Sequence, residues 1–169
     1  RAQLVSVALI MLCSTFAILL PAQATGQGSA RILAIQGNVP QLGLDFNSRA
    51  KEVFQMHVKT TNIALSKIES KPDAILWPEN AVDVDPFINR DVNDQIADIA
   101  IQSDTPIIAG VVLKAPQGLQ NASIMWSNKG EVATTYVKRA LTPFGEYIPL
   151  RLLSEFVSPL SKNVTDFIA

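Results

Sequence analysis

The chain has 169 residues, of which 48% are hydrophobic and 17% charged, enough apolar side chain for one sizeable core and too much for a disordered segment. Its 14 basic and 15 acidic residues are interspersed and nearly cancel, so no basic stripe exists to neutralise phosphates and nucleic acid is not expected as a partner. A single cysteine, Cys13, and a single histidine, His57, argue against a disulfide framework or a Cys/His metal centre, and no cofactor is expected.

No residue from Ala2 to Ala30 is charged, and Leu4 to Leu20 (LVSVALIMLCSTFAILL) is almost wholly apolar. At ~1.5 Å rise per residue, those roughly 17 positions cover ~26 Å as a helix, close to the ~30 Å hydrocarbon core of a bilayer. A membrane-spanning helix within residues 1–24 is the first reading. The alternative is a secretory signal, since Arg1 could close a basic n-region and Ala22-Gln23-Ala24 fits an A-x-A cleavage site. Either reading places the residues after this run outside the cytoplasm. Residues 25–30 (TGQGSA) are small, polar and flexible, a linker that hands over to a soluble domain at Arg31.

Within that domain, Arg31 to Gln36 (RILAIQ) is a short apolar run closed by Gly37, Asn38 and Pro40, which predicts a buried strand. Ala50, Val53, Phe54, His57, Val58, Thr61, Ala64, Leu65 and Ile68 recur at three- and four-residue spacing and predict a helix that Pro72 ends. Ala74 to Trp77 (AILW) reads as a second strand. Ile88, Val92, Ile96, Ile99 and Ala100 mark a second helix after Pro86, and Pro106 to Leu113 (PIIAGVVL) is a third strand, too apolar to have a wet face. Gln120 to Ser127 and Glu131 to Val137 form two more strands around Asn128-Lys129-Gly130, a hairpin turn. The alternation predicts an α/β layered fold with helices on at least one face of the sheet.

Two charged residues follow strand ends, where open α/β sheets place ligands: Glu79 after the second strand and Lys138 after the fifth. A lone Glu or Lys is usually a solvated surface charge, but here the context differs. Trp77 and Pro78 supply bulk and a rigid φ just before Glu79. Pro143 to Pro149 (PFGEYIP) is a stiff, turn-rich segment able to hold Glu146 in one place. Cys13, between Leu12 and Ser14, reads as a buried structural thiol, and His57 as a satisfied core histidine. Met56 and Met125 read as packing. Asn121-Ala122-Ser123 and Asn163-Val164-Thr165 match a glycosylation pattern common by chance.

Trp77-Pro78-Glu79, Tyr136-Val137-Lys138, the PFGEYIP segment and Gln36 to Gln41 (QGNVPQ) together resemble the nitrilase superfamily and, within it, the apolipoprotein N-acyltransferase family, over essentially all of Arg31 to Ala169. The resemblance implies a nitrilase-like αββα sandwich carried on a membrane-embedded helical domain. Residues 1–24 would be its last transmembrane helix, 25–30 a linker, and 31–169 a carbon-nitrogen hydrolase domain incomplete at its C-terminal side. It implies that Glu79 is a general base, that Lys138 stabilises charge and that Glu146 supports the site. Asn121, Phe46 and Trp77 are the implied substrate-lining residues. The family nucleophile, a cysteine downstream of PFGEYIP, is not among these residues. The implied reaction moves a phospholipid acyl group to that cysteine as a thioester, then to the α-amino group of an N-terminal diacylglyceryl-cysteine on a lipoprotein. The site would lie on the extracytoplasmic side of a bacterial cell membrane. An exported soluble nitrilase-type amidase and a non-catalytic nitrilase-like module remain alternatives.

Such chemistry constrains the site. A free thiol titrates near ~8.5 and a glutamate near ~4.3, so moving a proton from Cys to Glu is uphill by ~4 units, about 6 kcal/mol. Desolvation of the glutamate and a nearby ammonium close that gap, so Glu79 is expected to be buried beside Lys138.

Overall fold

A computed structural model of the chain describes residues 28–38, 46–151 and 166–169, with the side chains of residues 46–48 left aside. The apolar run at 4–20, Cys13 and the candidate cleavage site lie outside the described residues. Among the described residues, no helix is long and apolar enough to cross a membrane.

The elements are β1 (Ile32–Ala34), α1 (Phe46–Leu65), β2 (Ala74–Val82), α2 (Arg90–Gln102), β3 (Ile107–Ala115), β4 (Gly118–Trp126) and β5 (Val132–Val137). They build one five-stranded sheet in the order β1-β2-β3-β4-β5. The first three strands are parallel, and β3, β4 and β5 are antiparallel neighbours. Parallel neighbours need crossovers, and two successive crossovers of the same hand put α1 and α2 on the same face of the sheet.

That face is the core. Ile75, Trp77, Ile107, Ala109, Val111, Ile124 and Trp126 meet Phe54, Val92, Ile96 and Ala100 of the helices, and none of these is more than 2% exposed. The strand alternation of period two sends their neighbours to the opposite face, which no described helix covers. There Ile32, Leu76 and Tyr136 stand 50%, 42% and 56% exposed.

Buried polar groups within the core find partners. The Trp77 indole N–H donates to Thr61 Oγ1 at 2.9 Å, and its ring meets Phe54 edge-on with centroids 6.2 Å apart. His57, 3% exposed, bridges the end of β1 to α1: Gly37 N–H donates to Nε2 at 3.1 Å, and Nδ1 lies 2.8 Å from the Val53 carbonyl. This is the satisfied core histidine expected from the sequence, in the pattern of a neutral ring. Trp77→Phe removes one buried donor while Thr61 keeps its bond to the His57 carbonyl. The expected loss is about 1–2 kcal/mol, read from the midpoint of urea unfolding.

Three elements differ from the sequence expectation. The first strand is only three residues long and alternates exposed and half-buried, because it pairs on one side only and lies at the sheet edge. The second strand does not end at Trp77 but resumes through Val82 after an irregularity. The third and fourth strands join in a second tight hairpin at Pro116-Gln117, so β4 starts at Gly118 rather than Gln120. The expected hairpin at Asn128-Lys129-Gly130 is present. There Gly130 has φ +79°, and an added Cβ would stand 2.8 Å from Ile101 Cδ1 of α2.

Candidate active site

The irregularity in β2 is what presents Glu79. Trp77 pairs with Ala109 and Val82 with Val111, so Pro78, Glu79, Asn80 and Ala81 stand opposite Gly110 alone. A bulge of this kind bends the strand and re-aims its side chains. Proline is tolerated in it because its missing N–H costs no ladder bond. Asn80 completes the detour in the left-handed region at φ 58°, which Asn accepts more readily than most residues. Glu79 thereby joins Leu76, Ile108, Gly110, Asn121, Ser123, Tyr136 and Lys138 in lining a groove of about 410 Å³ on the sheet face that carries no helix.

Three charged side chains from separate stretches of chain meet there around one amide. Asn121 of β4 is 6% exposed, and its Nδ2 donates to Glu79 Oε1 and, at 2.8 Å, to Glu146 Oε1. The Asn121 carbonyl accepts the Lys138 backbone N–H at 2.8 Å, extending the β4–β5 pairing one residue beyond β5. Lys138 Nζ lies 3.0 Å and 2.9 Å from the two Glu146 oxygens and 3.4 Å from Glu79 Oε1.

The two carboxylates occupy different environments. Glu146 has a side chain only 12% exposed, and it accepts the Thr142 backbone N–H at 2.7 Å. That N–H, then the Asn121 amide and the Lys138 ammonium, lower its pKa to about 2. Its hydrogen bond in turn raises the Lys138 pKa above 10.5, with the charges of Glu79 and Glu146 adding to the effect. Glu146 is therefore a fixed anion that holds the ammonium and takes no part as a proton carrier near neutral pH. The Glu79 side chain is 57% exposed and has Lys138 at the longer distance, which leaves it the accessible carboxylate. The burial expected for Glu79 is thus not supplied by the described residues.

Glu146 also makes the site sensitive to acid. Its carboxyl ionises near 4.5 when unfolded and near 2 in the fold, so the folded state binds fewer protons across that window. The stabilisation is complete above 4.5 and is lost as the pH falls towards 2. The Thr142 amide is expected to lose its protection from hydrogen exchange over that window, and Glu146→Gln is expected to remove the dependence.

The PFGEYIP segment is tied down locally and from a distance. Gly145 and Glu146 N–H donate to the Thr142 carbonyl at 3.2 Å and 2.9 Å, and Phe144 N–H to the Tyr147 carbonyl at 2.8 Å. Asp166 accepts Ile148 N–H and Arg151 Nε–H, each at 3.0 Å, together with an Arg151 Nη2–H; the guanidinium lowers its pKa. Phe167 N–H donates to the Glu146 carbonyl at 2.7 Å and Ile168 N–H to the Leu119 carbonyl at 2.8 Å, which fastens the segment to β4.

Of the residues singled out from the sequence, Glu79, Lys138, Glu146 and Asn121 come together. Trp77 lines the groove as a residue, but its ring is turned into the core against Phe54, His57 and Thr61, so it anchors the strand from below. Phe46 opens α1, and its side chain is outside the description. Thr142, Gly110 and Asp166 carry no site signal in the sequence: two act through backbone or missing atoms, and Asp166 sits far along the chain. Behind the bulge, Asp83 and Glu79 share a smaller hollow of about 180 Å³ with Arg49 and Asn80. Burial raises the Asp83 pKa, and its Oδ1 has no hydrogen-bond partner among the described residues.

No family model matches the chain. The apolipoprotein N-acyltransferase of Mycolicibacterium smegmatis is 33% identical over 157 residues, which cover 85% of this chain and 26% of that protein. The apolipoprotein N-acyltransferase of Agrobacterium fabrum is 30% identical over 131 residues, 72% of this chain and 24% of that one. The chain thus spans about a quarter of the length of these curated relatives. Among solved structures, a carbon-nitrogen hydrolase from Helicobacter pylori superposes with a TM-score of 0.54 at 16% identity, over 69% of this chain and 41% of that chain. An N-terminal amidase superposes with a TM-score of 0.50 at 20% identity, over 67% and 28%. These two establish a shared mixed α/β fold.

Proposed function

Because the chain belongs to the apolipoprotein N-acyltransferase family, we propose that it forms part of the catalytic domain of an enzyme that acylates lipoproteins through a cysteine thioester. The observation that carries this reading is the convergence of Glu79, Lys138 and Glu146 on the Asn121 amide, which brings a strand bulge, a strand end and a rigid loop together. In this reading Glu79 takes the proton of a cysteine thiol that residues 31–169 do not themselves supply. The thiolate attacks the ester carbonyl of a phospholipid, the acyl–oxygen bond breaks, and the proton returns from Glu79 to the departing alkoxide. In the second half, Glu79 takes a proton from the α-amino group of a diacylglyceryl-cysteine as it displaces the thiolate. Lys138, held charged by Glu146, stabilises the thiolate and the oxyanion of each tetrahedral intermediate.

The uncovered sheet face fits the finer reading of the fold. Exposed Leu76 and Tyr136 line a groove that a second sheet of an αββα sandwich would cover, and the same cover would withdraw Glu79 from water. The apolar run at 4–20 is proposed to span the bacterial cell membrane and to hold the site, on the extracytoplasmic side, at the level of both lipid substrates.

The test uses the full-length protein in detergent with a phospholipid labelled in its acyl chain. A hydroxylamine-labile label on the protein, chased onto the amine of a diacylglyceryl peptide, is the expected result. Ammonia release from amides without a thioester would indicate an amidase instead. A folded protein that takes up no label would be a non-catalytic module. Residues 1–169 alone are expected to take up no label, Cys13 included.

A further inference from the structure

Gly110 is buried in β3 at the point where β2 leaves the ladder. A Cβ built there would stand 2.6 Å from the Pro78 carbonyl oxygen, 2.6 Å from Glu79 Cα and 3.0 Å from Glu79 N. All three are backbone atoms, so no rotamer change relieves the overlap. Gly110 is not among the glycines with positive φ, so its backbone suits any residue and only the space is missing. On its other side Gly110 pairs with Ser123 of β4, two residues from Asn121. It therefore lies between the Glu79 bulge and the strand that carries the amide Glu79 must reach.

We infer that Gly110 is a positioning residue: its missing side chain lets the bulge lie flat on β3, and only then does the Glu79 carboxylate meet Asn121 and Lys138. A methyl group would have to push the bulge about 1 Å to regain an ordinary ~3.5 Å contact. A displacement of that size at a reacting group costs about 100-fold in rate. The consequence for turnover rests on the base role proposed above for Glu79, whereas the placement does not.

The experiment is Gly110→Ala in the full-length protein, with two readouts. The side-chain amide resonance of Asn121, in ¹⁵N-asparagine-labelled protein, is expected to shift as its bond to Glu79 is lost. The kcat of thioester formation is expected to fall about 100-fold with KM within about 2-fold. A folded Gly110→Ala protein with the Asn121 resonance unmoved overturns the inference; a shifted resonance with normal turnover keeps the placement and counts against the base role. Placement is read from the resonance alone, so normal turnover in Glu79→Gln would sink the base role without touching it. If Gly110→Ala does not fold, Asn80→Gly is added to relax the left-handed turn and let the bulge move aside. That pair is expected to fold with the Asn121 resonance still shifted, and an unmoved resonance in it overturns the inference.

Discussion

Glu79→Gln in the full-length protein is expected to lower the rate of thioester formation by about 10²–10⁴-fold, the range a general base contributes. The substitution is nearly isosteric. Its carbonyl oxygen can still accept the Asn121 Nδ2–H, so the amide that joins the two sides of the site keeps a partner. What it cannot do is hold a proton taken from a thiol. The loss should therefore appear as a missing burst of labelled acyl-enzyme, with the thermal midpoint close to that of the unmodified protein. A normal burst in Glu79→Gln would show that the proton leaves by another route and would remove the central role assigned here. A lost burst with a large drop in midpoint would instead assign Glu79 to the architecture of the bulge.

How much of this was legible depended on where the signal lay. The helices were readable because Phe54, His57 and Thr61, and likewise Val92, Ile96 and Ala100, repeat at helical spacing and do face the sheet. Glu79 and Lys138 stood out because rigid or aromatic neighbours set them apart from ordinary surface charges. The continuation of β2 was not readable, since Pro78 looks like a terminator until a bulge removes the need for its N–H. The hairpin between β3 and β4 had a signal in Pro116 and Gly118 that the apolar run before it obscured. The exposure of Ile32 and Leu76 depends on what covers the sheet, which local sequence does not encode.

The double role of Asn121 was the hardest to see. Asparagine is disfavoured in strands, and at a mid-strand position it signals only that something polar must satisfy it. Here the partners come from residues 42 positions earlier and 25 later. Thr142 contributes through its backbone N–H, so its identity leaves no trace at all. The long-range pairings that decide the site are therefore set by the register of β2 on β3 and of β3 on β4, and a one-residue slip of β4 would turn Asn121 to the core.

Lys138→Ala is expected to be nearly as damaging, lowering thioester formation by about 10²–10³-fold, the size of losing one preorganised oxyanion donor. The reason is charge. With Lys138 in place, the two carboxylates on Asn121 share an ammonium within 3.4 Å; without it, like charges face each other across one amide. Glu146 keeps the Thr142 N–H and so stays in place as a fixed anion beside Glu79. Deprotonating the thiol by raising the pH should then fail to restore the rate, because the missing element is a cation at the oxyanion. In the intact site Lys138 has its pKa raised above 10.5, so its own contribution is complete below 10.5 and is lost only as the pH rises through the higher folded value. Lys138→Arg retains the charge but presents a planar fork to a site that holds a point charge, and it should recover part of the activity. A pH–rate series on the three proteins checks the assignment. Near-normal thioester formation in Lys138→Ala, or full rescue of it at high pH, would show that the ammonium only organises the carboxylates and does not act on the reacting carbonyl.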